Sequence, residues 1–382
     1  MPIIDPVDFA AKLISVPSLT PASGAVFDLL DEALSALGFT VHRFVLGDAP
    51  DGPTENLIAL RTLGEGPHFG FAGHLDVVPP GEGWSGDPFT ARIENDRLIG
   101  RGANDMKSAI AAMVAAVSTA EQQRGTLSFL ITGDEEGYAT FGTPRIIDWL
   151  NERGIRPDMI LIGEPTSEQR LGDTVKIGRR GSVNLWLTVP GTQGHVAYPH
   201  KADNPVGKLG RIVATLEQLH LDDGTEAFPP SNLEFTGLAT PTHASNVIPG
   251  EASAQLNIRF NNLQSGSALV ERVTAIAREI EPATKVRARI SGEAFLTAPG
   301  ELHALVTEAI QAECGLTPSL STSGGTSDGR FLIQLCPVVD FGLPNATMHK
   351  LDECAALEDI RTLASIYRRI VERVVGAPPN PA

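Results

Sequence analysis

"TLSFLITGDEEGYATFGTPRIIDWLNERGIRPDMILIGEP", residues 126–165, decides between fold classes. "TLSFLITG" and "DMILIGEP" are short apolar runs, and "TPRIIDWLNERG" between them reads as a helix. Strand, helix, strand is the repeating unit of a parallel sheet, whose strands are covered on both faces and therefore read as unbroken apolar runs. The same stretch carries three adjacent carboxylates, Asp134, Glu135 and Glu136. They repel one another unless a solvated turn or a bound cation offsets the charge.

The alternation extends in both directions. Upstream, Asp5 before Pro6 reads as an N-cap opening a helix through "VDFAAKLI", and "AVFDLLDEALSAL" stops at Gly38. "FTVHRFVL", "ENLIALR" and "HFGFAGHLDVV" are strand candidates, followed by the helical "SAIAAMVAAVSTAEQQ". The fold class expected is α/β, a mostly parallel or mixed sheet sandwiched by helices. Near residue 178 the order changes to strand, helix, strand, strand, helix, strand, the βαββαβ pattern of an inserted, ferredoxin-like α+β domain. After about residue 293 the α/β character returns. The domains expected are therefore a discontinuous 1–178 with 293–382, and an insertion at 179–292. The closing "GAPPNPA" is expected to be a disordered tail.

Composition narrows the function. A formal net charge of −16 argues against nucleic-acid binding, which needs a basic surface to release phosphate counterions. Cys314, Cys336 and Cys354 form no CxxC pair, so a thiol zinc site or disulfide scaffold is not expected, and a reducing, cytoplasmic setting is. No apolar run reaches the ~18 residues of a membrane span.

Five stretches place a potential ligand at the end of a strand candidate or in the loop after it: His74 and Asp76 in "FAGHLDVVP", Asp105 in "GRGANDMKSA", Glu135 and Glu136, Glu164 in "GEPT", and His349 in "GLPNATMHKLDE". Parallel strands present such ends on one edge, where ligand sites gather. Asp76, two residues past His74, can support that ring from behind. Two histidines with carboxylates and no thiols form an N/O set suited to catalytic zinc, and compatible with cobalt or manganese.

With "GHLDVVPPGEGWSGDPF", "GRGANDMKSAIAAM", "TGDEEG", "GRRGS", "GTQGHVAYPHKADNP", "SNVIPGEA" and "SGGTSDGRF", these stretches run from about residue 70 to 353. In this order they resemble the di-zinc amidohydrolases related to aminoacylase, glutamate carboxypeptidase and acetylornithine deacetylase. The resemblance implies that Asp105 bridges two Zn2+ ions, with His74 and Glu164 on one and Glu136 and His349 on the other. It implies that Glu135 is the general acid/base, that Asp76 supports His74, and that the Asp105–Met106 peptide is cis. Asp134 stays a supporting or solvated residue. It further implies that the insertion forms a homodimer, through which His195 reaches the partner's active site to polarise the scissile carbonyl.

The resemblance also implies that Arg179, Tyr198, Asn246, Arg259, Thr326 and Asn345 surround an acyl carboxylate, and the glycines around Gly325 could let backbone N–H groups help. Arginine grips a carboxylate bidentately. Two zinc ions about 4 Å apart can share one water and bring its pKa toward ~7, leaving Glu135 to move its proton. The substrate that the resemblance implies is N-succinyl-LL-2,6-diaminopimelate, a small N-acyl amino acid whose hydrolysis serves lysine and diaminopimelate biosynthesis. Alternatives are deacetylation of acetylornithine or a related N-acyl amino acid or dipeptide, and a non-catalytic binding homologue.

Overall fold

A computed structural model describes residues 2–242 and 244–376. The last six residues of the expected disordered tail lie outside the described residues. The chain divides into two compact units. One holds the residues up to Ile177, Thr297–Ser321 and those from Ser327 onward; the other holds Gly178–Leu296 and Thr322–Thr326.

The first unit is built on an eight-stranded sheet in the order Thr40–Leu46, Thr54–Thr62, Thr126–Thr132, His68–His74, Met159–Ile162, Val338–Asp340, Thr174–Lys176, Ser319–Ser321. Four of its seven junctions are parallel, so the sheet is mixed. The two strands of residues 126–165 flank His68–His74, both parallel to it. Side chains alternate across the sheet. Phe69, Phe71, Leu127, Phe129 and Leu161 join one apolar layer, and Ala72, Leu130, Ile160 and Ile162 join the other with Ile146, Ile147 and Leu150 of helix Thr143–Glu152. Helix Lys107–Thr119 is buried at every position through Val117, because Pro6–Ile14 and Leu357–Val375 both pack against it. Edge strand Thr40–Leu46, antiparallel to its neighbour, is partly exposed along its length and lacks the two-sided burial of the parallel strands.

The second unit is a four-stranded antiparallel sheet, ordered Asn232–Ala239, Glu251–Phe260, Gly181–Pro190, Lys285–Gly292, with helices Pro205–Glu217 and Gly266–Ile280. This is the βαββαβ order expected. Val183, Leu185, Leu187 and Val189 alternate inward and meet Leu256, Ile258, Leu209, Ile212, Leu269 and Val273 in one core. Asn204 caps the first helix, accepting from Val206 N at 3.0 Å, and Ser265 caps the second. Among the described residues no helix is long and apolar enough to cross a membrane.

Candidate metal centre

Each candidate ligand belongs to the first unit and follows a strand or precedes a helix. His74 closes its strand, Glu135 and Glu136 follow Thr126–Thr132, and Glu164 follows Met159–Ile162. Asp105 lies just before helix Lys107–Thr119, after a cluster of turns, and its peptide with Met106 is cis. His349 sits at φ 61° in the loop after Val338–Asp340.

These side chains converge into two triads, His74–Asp105–Glu164 and Asp105–Glu136–His349, each with ligand atoms within 4.8 Å of one another. Asp105 divides its carboxylate between them. Oδ1 lies 3.1 Å from His74 Nε2, and Oδ2 lies 3.2 Å from His349 Nε2. Glu164 Oε1 is 3.7 Å from His74 Nε2, and Glu136 Oε1 is 2.8 Å from His349 Nε2. Behind His74, Nδ1 lies 2.9 Å from the backbone carbonyl of Asp76, which can only accept. Nδ1 therefore carries a proton, and Nε2 is the ring nitrogen that faces Asp105 and Glu164, the one that would give up its own proton to ligate a cation.

Asp76 stands where expected but acts differently from the strand-spacing argument, because the strand ends at His74. Its carboxylate lies 3.6 Å from the ring and accepts instead from the backbone N–H groups of Glu135 and Glu136, at 3.2 and 3.0 Å. It thus anchors the loop that carries both glutamates. Asp134 is 1% exposed, which removes the solvated reading of that residue.

Electrostatics separate the carboxylates. Burial alone would raise Asp105, but hydrogen bonds and charge from His349 and His74 hold it well below the usual range. Burial would lower His74, and the carboxylates around it reverse the sign. Hydrogen bonds to Asp105 and Glu136 raise His349 to about 10. Glu135 moves the other way: burial first, then the charge of Asp328, pushes it to about 8. With both rings protonated and Glu135 kept neutral by its raised pKa, Asp76, Asp105, Glu136 and Glu164 still leave an excess of two negative charges. Divalent cations would remove that excess, and the N/O donor set, free of thiols, fits zinc, cobalt or manganese.

Of the residues expected to bind substrate, only Asn345 lies in the first unit, its N–H bonded to Ser167 O at 2.9 Å. In the second unit, buried Arg179 donates from Nη1 to Gly325 O at 3.0 Å, and the Thr326 hydroxyl is buried without a hydrogen-bond partner. Half-buried Arg259 lies close enough to Arg180 for the two charges to interact. His195 and Tyr198 are exposed with ring centroids 5.7 Å apart, and Asn246 accepts from Val196 N.

Three buried groups were not singled out from the sequence. Lys107 donates to the carbonyls of Leu13 and Val16, and burial lowers it to about 7. Asp328 accepts from the Thr143 hydroxyl at 2.6 Å. Arg101 pairs with Glu353 at 2.7 Å. Lys107 and Arg101 stand in the glycine-rich stretch around Asp105, which is the one signal the sequence offers for them.

Residues 70–373 match the model of peptidase family M20/M25/M40. The chain belongs to that family. Among its relatives, the succinyl-diaminopimelate desuccinylase of Sphingopyxis alaskensis is 59% identical, over 97% of this chain and 98% of that protein. The same-named protein of Zymomonas mobilis is 57% identical, over 97% and 99%. M20 folds recur among solved structures at low identity. A tripeptidase of Staphylococcus aureus superposes with a TM-score of 0.82 at 18% identity, covering 98% of this chain and 100% of its own. A dinuclear metal-binding M20 peptidase of Bacillus subtilis gives 0.71 at 16%, covering 97% of each chain.

Proposed function

We propose that this M20 chain hydrolyses N-succinyl-LL-2,6-diaminopimelate to succinate and LL-2,6-diaminopimelate, in lysine and diaminopimelate biosynthesis. The observation that carries the chemistry is Asp105, whose two oxygens each address a separate N/O triad. The choice of acyl group is supported by the near-full-length identity to the two desuccinylases.

His74, Asp105 and Glu164 would hold one Zn2+, and Asp105, Glu136 and His349 the other. When bound, two such ions polarise the amide carbonyl and acidify a water. Glu135, outside both triads, takes the proton of the attacking water on its carboxylate. As the new C–O bond forms and the C–N bond breaks, it hands that proton to the departing nitrogen. Its pKa of about 8 without cations would fall beside them, leaving an ionised base. Asp76 keeps it in place through the Glu135 backbone N–H. Arg179 and Arg259, with Tyr198, Asn246, Gly325, Thr326 and Asn345, would grip the succinyl carboxylate. His195 accepts on Nδ1 from Ala197 N, which leaves Nε2–H to donate to a carbonyl. We assign that donation to the active site of a partner copy, in a cytoplasmic homodimer. Three thiols, none of them paired, accord with that compartment.

Assaying N-succinyl-LL-2,6-diaminopimelate against acetylornithine, with and without chelator, tests the reading. Chelator-sensitive desuccinylation is expected to be the faster reaction. Faster deacetylation of acetylornithine would overturn the substrate assignment. For His195→Ala, a normal rate in an intact dimer would end the cross-subunit role.

A further inference from the structure

Glu353, four residues past His349, is fully buried, and both of its oxygens are engaged by donors. Oε1 accepts from the backbone N–H groups of Asn104 and Asp105, at 2.7 and 2.9 Å. Oε2 accepts from Gly102 N at 3.1 Å and from Arg101 Nη1 at 2.7 Å. The loop that delivers Asp105 is thus folded around one carboxylate. Arg101 extends the grip. Its Nη2 donates to Pro80 O at 3.2 Å, on the segment after His74, and its Nη1 also reaches Lys350 O at 3.4 Å, beside His349. Asn104 Nδ2 adds a bond to Pro344 O at 2.7 Å. Three ligand-bearing loops, far apart in sequence, meet at one buried ion pair.

We propose that Glu353 is a positioning residue of the metal centre: its carboxylate fixes the Asp105 backbone so that the side chain can serve both triads, and with Arg101 it locks together the loops of His74, Asp105 and His349. The inference rests on the metal-centre reading above. The chemistry demands a carboxylate. A glutamine amide can accept on one end only, and its NH2 would face backbone N–H groups or the guanidinium on the other. An aspartate keeps the charge opposite Arg101 but draws it back by about 1.5 Å, out of reach of the Asn104 and Asp105 amides. Groups that orient ligands in this way typically change metal affinity 10–100-fold when lost.

The test is to titrate Zn2+ into the metal-free wild type, Glu353→Gln and Glu353→Asp, in competition with a chelating dye. Folding is checked by circular dichroism, and kinetics are measured at saturating zinc. Wild type is expected to take up two ions. Both variants should bind zinc about 10–100-fold more weakly, and kcat should fall while KM stays within about twofold, because no substrate group has moved. Glu353→Asp leaves no unpaired buried cation, so it decides the matter if Glu353→Gln does not fold. Wild-type zinc affinity in a folded variant overturns the inference alone. Fewer than two ions in the wild type overturns the metal-centre reading and the inference with it.

Discussion

The two units bury charge in opposite ways. In the first, Asp76, Asp105, Asp134, Glu164 and Glu353 are all buried, three of them within 4 Å of the His74 ring. In the second, no Asp or Glu among the described residues is buried, and a wholly apolar core joins sheet to helices. A buried carboxylate is tolerated only when donors or cations replace its water. Glu353 and Asp76 have backbone donors, whereas Asp105 and Glu136 in the two triads meet the imidazoles of His74 and His349. Among the described residues the second unit therefore has no buried carboxylate to compensate, and the first carries a deficit that a cation is suited to close. Local rules broken in this concentrated way mark a functional site.

Removing metal acts on that deficit most directly. Stripping with chelator is expected to abolish hydrolysis and lower the melting temperature, and added Zn2+ should restore both. At free metal about a thousand times its dissociation constant, binding contributes ~4 kcal/mol to stability. Calorimetry with and without chelator checks this, and an unchanged melting temperature would argue that the protein's own donors already balance the carboxylates.

Glu135→Gln comes next. Losing the proton shuttle should cost about 10²–10⁴ in kcat, while zinc content by elemental analysis stays at the wild-type level. Near-normal turnover would show that Glu135 is not the base.

In the second unit the corresponding lever is apolar. Leu256 is fully buried and registers with Leu185 and Phe235 on its two neighbouring strands. Leu256→Ala should destabilise that unit by about 2–5 kcal/mol through the lost contacts and the cavity left behind. Zinc affinity in the folded variant should not change; if it falls, the two units are not energetically separate.

The contrast also explains what could be read from the sequence. Alternating apolar runs predicted Thr126–Thr132, Thr143–Glu152 and Met159–Ile162, because two-sided burial imposes that pattern. The ligand types at those strand ends were legible for the same reason: a parallel sheet gathers its ends on one edge, whatever the loops do. The bracing around them was not. Glu353 and Arg101 are 252 positions apart, and neither sits in a periodic segment, so only the folded loops bring them together. Asp134 looked able to be solvated because no local pattern records that its loop turns inward. Asp76 was read through strand spacing, which stops applying where the strand ends.

The smallest expected effect tests whether donors alone can hold a carboxylate in the second unit. Asp222 accepts from Gly224 N, Ser231 N and Asn261 Nδ2 on one oxygen and from Gln264 Nε2 on the other. Partial burial would raise it, but the bonds from Ser231, Asn261 and Gly224 outweigh that and hold it at about 2, below its ordinary 3.8. A carboxylate whose folded pKa is depressed contributes stability that is full above the unfolded value and is lost as pH falls through the folded one. The contribution of Asp222 should therefore persist down to about pH 4 and disappear between about pH 4 and 2. Asp222→Asn keeps an acceptor but turns an NH2 toward one set of donors. It should cost about 1 kcal/mol at neutral pH, the worth of a typical hydrogen bond, and it should flatten the acid limb. Melting curves of the metal-free protein between pH 2 and 7 measure both effects, since the two triads then contribute nothing that varies with pH through metal uptake. Parallel acid limbs for wild type and variant would mean that the four donors stabilise the loop without favouring the charge.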